Sequence, residues 1–165
     1  MIRLVLIGLA LTILTAIAGA QVTDTTGIAS VNVQPAISLT WVQSPSWGKV
    51  VCPPTGTATY TLDYAAGGVT LTSGDGYAFN DGNNGQYTVT GANNAPVSFS
   101  ISIGTFSGSG VACTAAYING TSSSGTGSLS GSGSLTLLVG GIVSVASTAT
   151  VATQTATVTV TVDYT

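Results

Sequence analysis

Thr155-Ala156-Thr157-Val158-Thr159-Val160-Thr161-Val162-Asp163-Tyr164 alternates apolar and polar residues without a break. Period two is the repeat of an extended chain, whose successive side chains leave opposite faces. A strand of this kind buries its valines and turns its threonines outward. The same signal recurs upstream. Val31, Val33, Ile37, Leu39 and Trp41 share one parity; Ala58, Tyr60, Leu62 and Tyr64 alternate with Thr57, Thr59, Thr61 and Asp63; Val97, Phe99, Ile101 and Ile103 alternate with three serines. Shorter strands are expected over residues 49–52, 69–71, 86–90, 111–117, 134–139 and 142–145. No segment places apolar residues at i, i+3, i+4 and i+7 between caps, so almost no helix is expected.

Turn dipeptides separate these runs. Asp75-Gly76, Asp81-Gly82, Asn84-Gly85, Asn119-Gly120 and Gly140-Gly141 mark reversals. Residues 121–133 are rich in Gly and Ser and read either as a loop or as two weak strands interrupted by Leu129. About ten short strands at 8–12-residue spacing imply an all-β, immunoglobulin-like antiparallel β-sandwich. Trp41 and Trp47 are expected in its core, with stacking on a sugar as the functional alternative.

Only 4% of the 165 residues are charged, and there is no histidine. The bases are Arg3 and Lys49; the acids are Asp24, Asp63, Asp75, Asp81 and Asp163. A chain without His has no Ser-His-Asp triad, no Cys-His dyad and no His-ligated metal. One Lys and one Arg make no basic patch, which excludes nucleic acid as a partner. No nucleophile–base constellation stands out, so an enzyme is not expected, nor is a cofactor. So little charge suits a subunit meant to assemble, because charge is what ordinarily keeps monomers apart. A strongly acidic habitat, where carboxylates are neutral, would explain the composition equally well.

Residues 1–20 read as a secretory signal. Arg3 precedes an apolar run, and Ala18-Gly19-Ala20 fits a cleavage site before Gln21. A membrane anchor is the rival reading, but the run is at the short limit for a span and no basic stop follows. Export leads to an oxidising compartment, in which Cys52 and Cys113, the only cysteines, are expected to form a disulfide. The bridge would close a loop of roughly sixty residues, worth ~4 kcal/mol in the chain-entropy picture. Two buried free thiols are the alternative.

Pro35 interrupts the first alternating run, and a proline cannot donate to a sheet ladder. Residues 21–34 therefore read as an N-terminal extension and 35–165 as the sandwich. The extension carries a candidate strand over residues 28–33, with Ile28, Val31 and Val33 as its apolar positions. It is either the sandwich's own first strand or one donated to a neighbouring subunit.

The remaining candidate sites are sparse. Asp75, Asp81 and Asn83 space oxygen ligands as a calcium loop does, but without a third ligand position or a glutamate, so a turn is the favoured reading and no metal is expected. Asn119-Gly120-Thr121 is a glycosylation sequon by pattern, and equally a hairpin turn. Tyr77, Phe79 and Tyr117 are loop aromatics that a monomeric, extracellular binding or adhesion module would use for carbohydrate.

Pro35-Ala36-Ile37-Ser38-Leu39-Thr40, Trp47-Gly48-Lys49-Val50-Val51, residues 85–91, Gly140-Gly141-Ile142-Val143 and Val160-Thr161-Val162-Asp163-Tyr164 together resemble a secreted bacterial β-domain family of unknown function (domain forty-four-oh-two). The resemblance spans residues 35–165. It departs at Trp47, where the family usually has Phe, and the cysteines are no family hallmark. The layout is also similar to the spore coat protein U and archaic chaperone–usher pilin group. That resemblance implies an incomplete sandwich filled by the N-terminal extension of the next subunit, a homopolymer as product, and an export chaperone or usher as partner. After signal removal no membrane association is expected; the location is extracellular or at the cell surface.

Overall fold

The computed structural model describes residues 30–120 and 122–165, and residues 34–165 form one compact unit. The chain is all-β: among the described residues there are strands, turns and bends but no helix. The strands are β1 (Ser38–Gln43), β2 (Val50–Val51), β3 (Thr57–Leu62), β4 (Val69–Ser73), β5 (Tyr77–Ala78), β6 (Gly85–Thr90), β7 (Pro96–Ile103), β8 (Val111–Ile118), β9 (Ser124–Ser128), β10 (Ser134–Ala146) and β11 (Val158–Tyr164).

Among the described residues three antiparallel sheets result. The largest has the order β1-β6-β10-β3-β4, with β8 pairing the free side of β10. The second is β11-β7-β9 and the third is the ribbon β2-β5. The period-two pattern is executed as expected: in β3, Ala58, Tyr60 and Leu62 are buried, and in β7, Val97, Phe99 and Ile101 are. Two cores form. Tyr87, Val89, Leu137 and Val139 of the large sheet pack with Val97, Phe99 and Ile101 of the second sheet, joined by Ile118 and Leu129. The other core gathers Ala58, Tyr60, Leu62, Val69, Val143 and Val145, covered by Trp47, Val50, Ala78 and Phe106.

β10 belongs to both cores. Residues expected as two strands with a turn at Gly140-Gly141 are one strand of 13 residues. Its first half pairs β6, its second half β3, and β8 lies along Val139 to Val145. The glycines serve close approach rather than reversal. A Cβ on Gly140 would stand 2.5 Å from the Leu62 carbonyl oxygen, and one on Gly141 would stand 2.4 Å from that of Ala115.

The first run also departs from expectation. Pairing starts at Ser38, after Pro35, and residues 30–37 have no ladder partner. Trp47 does join a core, edge-to-face with Phe106 at 6.3 Å. Trp41 does not: it is 61% exposed. In the Gly/Ser-rich stretch a single strand, β9, leads into Leu129, which is buried.

Candidate functional site: an open seam between two sheet edges

β1 is the edge of one layer of the sandwich and β11 the edge of the other. Tyr164, the last residue of β11, donates its hydroxyl proton to the Pro35 carbonyl just ahead of β1, at 2.9 Å, and accepts from the Ala92 amide at 2.7 Å. Both edges therefore stand on one side of the molecule.

Register fixes what faces the seam. Leu39 pairs with Val89 and Trp41 with Tyr87, and directly opposed residues share a face. Leu39 and Trp41 thus point to the core side, yet they are 37% and 61% exposed. Across the seam Val158, Val160 and Val162 pair with Ile103, Ile101 and Phe99, and they too are only half-buried. Leu39 and Trp41 thus lack a cover on the core face of one layer, while the three valines of the other pack on the first core and stay part-exposed.

Among the described residues the backbone along the seam is open as well. Gly104 donates to Thr157 O and Thr165 to Pro96 O, so the odd-numbered residues of β11 bond toward β7. Antiparallel parity turns the N–H and C=O groups of Val158, Val160, Val162 and Tyr164 outward. On β1 the same alternation leaves those of Leu39 and Trp41 facing away from β6.

The opposite edge is treated differently. The first half of β10 has no strand on its β8 side, but Asn119 closes it. The Asn119 amide donates to Leu138 O at 2.8 Å, Oδ1 accepts from the Leu138 amide at 2.6 Å, and Nδ2 donates to Thr136 O at 3.2 Å. Asn119 adopts φ 47°, a left-handed conformation that asparagine tolerates. Ser134 at the same edge is bonded through its backbone to Ser130. The sequon nitrogen is thus committed to the sheet.

The other sequence-predicted residues lie apart from the seam. Cys52 and Cys113 are free thiols, not a disulfide. Cys52 follows β2 and packs on the second core from the covering ribbon, whereas Cys113 lies within β8 and donates to Ala115 O on its own strand at 3.3 Å. Burial pushes the Cys113 thiol up, against that hydrogen bond, so it resists ionisation. Of the calcium candidates, Asp81 accepts from the Lys49 amide at 2.8 Å and Asn83 Nδ2 donates to Ser44 O at 2.8 Å, so both side chains tie their segment to the distant backbone of residues 44–49. Among the described residues no three His, Cys, Asp or Glu cluster as metal ligands. Val31 and Val33 are 86% and 82% exposed, while Ile28 lies outside the described residues.

Sequence reasoning missed the seam because period two tells which residues share a face, not which faces are covered. No run of consecutive residues carries that signal, because the edge positions of β1 and β11 are set by sheet order.

The fold and the seam define an antiparallel β-sandwich with an unfilled edge. Comparison with family models, curated proteins and solved structures returned no match.

Proposed function

We propose that this protein is a secreted structural subunit of an extracellular filament, pilus or surface layer, assembled by strand donation between copies. The acceptor is the seam between β1 and β11. The donor is the extension of a second copy, residues 21–34, with Ile28, Val31 and Val33 as its apolar positions. The observation that carries this reading is the coincidence, along one side of the sandwich, of uncovered core-facing side chains with two unpaired backbone edges. An added strand bonds to such an edge through its main chain and sets its alternate side chains into the uncovered row. Leu39 and Trp41 offer that row, with the half-buried Val158, Val160 and Val162 across from them. The scarcity of charge agrees, since neither edge carries the lysines that usually discourage pairing. The motifs resembling spore coat protein U and archaic pilin subunits point the same way, and an export chaperone or usher would then keep the seam covered before assembly.

Negative-stain microscopy of the mature chain tests it. The intact protein is expected to form filaments, and a chain lacking residues 21–34 is expected to stay soluble and dispersed. Trp41→Arg, at an exposed position, should block assembly while leaving the far-ultraviolet spectrum unchanged. Filaments from the truncated chain would remove strand donation as the mechanism.

A further inference from the structure

The ribbon β2-β5 carries a second uncommitted surface. Its inner face, Val50 and Ala78, covers the second core. Alternation turns Lys49, Val51, Tyr77 and Phe79 outward. Tyr77 and Phe79 are 59% and 55% exposed, with ring centroids 5.1 Å apart and planes at 86°. Val51, opposite Tyr77, is 43% exposed. Exposed aromatic pairs of this kind mark interaction surfaces.

The platform is held from below and at its end. Phe79 donates its amide to Lys49 O at 3.1 Å, and Asn80 Oδ1 accepts from the Val69 amide at 2.9 Å. Beside the rings, Lys49 Nζ stands 3.9 Å from Asp81 Oδ2, with both side chains in solvent. The ligand chemistry follows from this set. The rings offer apolar faces. The ion pair has no net charge but presents both hydrogen-bond donors and acceptors. A ligand with one C–H-rich face and a rim of neighbouring hydroxyls satisfies both; an anion meets the Asp81 carboxylate, and a wholly apolar partner strands the ion pair.

We propose that Tyr77, Phe79, Lys49 and Asp81 form a binding site for a neutral carbohydrate, with a pyranose ring stacked on the face of one aromatic ring and flanked by the other, perpendicular to it, and with its hydroxyls bonded to the Lys49–Asp81 pair. The site is separate from the assembly seam and would make each subunit adhesive.

The full mature chain is tested by co-sedimentation with insoluble cellulose, chitin and mannan, and by mobility in gels containing soluble β-glucan. Retention by at least one polysaccharide is expected. Tyr77→Ala and Phe79→Ala should each weaken it 10-fold or more, Asp81→Asn less, and Tyr117→Ala, on β8, not at all. Unchanged far-ultraviolet spectra of these surface variants keep the comparison fair. Three outcomes overturn the proposal: no retention by any of the four, retention indifferent to Tyr77 and Phe79, or loss of filaments in the Tyr77 variant, which would make the patch a contact between copies. Failure of strand donation leaves the expected retention untouched, so the two readings fail separately.

Discussion

Asn119 shows how one side chain can stand in for a strand. It makes three hydrogen bonds along Thr136 and Leu138, at an edge that would otherwise be a template for pairing. Asn119→Ala removes the two side-chain bonds, and urea denaturation should show a loss of about 1–3 kcal/mol. Asn119→Asp should cost at least as much, since a carboxylate oxygen would then face the Thr136 carbonyl; equal stability of all three proteins would show the clamp to be idle. Asp63 offers a second test at this scale. Its exposed carboxylate accepts from the Ala66 and Ala65 amides, at 2.9 and 2.7 Å, and these bonds hold its pKa below the ordinary aspartate range. A depressed folded pKa stabilises above the unfolded value of about 3.9 and is lost as pH falls through the folded one. Melting temperatures between pH 5 and 2 should therefore decline more steeply for the native protein than for Asp63→Asn. Parallel declines would place the acid sensitivity elsewhere.

At the scale of the element, β10 is the strand on which the architecture turns. It can run on through Gly140 only because no Cβ is there: beside the Leu62 oxygen at 2.5 Å, such an atom would meet Tyr64 N at 2.7 Å. Those neighbours are backbone and cannot rotate away. Gly140→Ala is therefore expected to cost about 1–3 kcal/mol by overpacking, read from the denaturant midpoint. A neutral result would mean that β3 can shift its register to make room.

The two cores of the whole molecule are joined by β10, which contributes Leu137 and Val139 to one and Val143 and Val145 to the other. Shared backbone couples them, so calorimetry should show one transition. Leu137→Ala is expected to lower it by about 2–5 kcal/mol, and Val143→Ala should shift the same single peak. Two resolved peaks, each answering to one substitution, would mean that the halves melt independently. Assembly adds a further term at this scale, because a partner strand that binds only the folded subunit raises its apparent stability by mass action.

The alternation in residues 155–164 and its counterparts determined that this chain is all-β and which positions of each strand face inward. That much is local: a strand's parity is written in consecutive residues. Three things were decided only by tertiary contact. Gly140-Gly141 reads as a turn until β3 and β8 are seen pressing on both sides of it. Cys52 and Cys113 read as a bridge, and in the folded chain they stand as two free thiols. Trp41 reads as core until β1 proves to be an edge with nothing across from it. Each depends on what lies opposite a residue in space, and that is set by sheet order, which no stretch of consecutive side chains encodes.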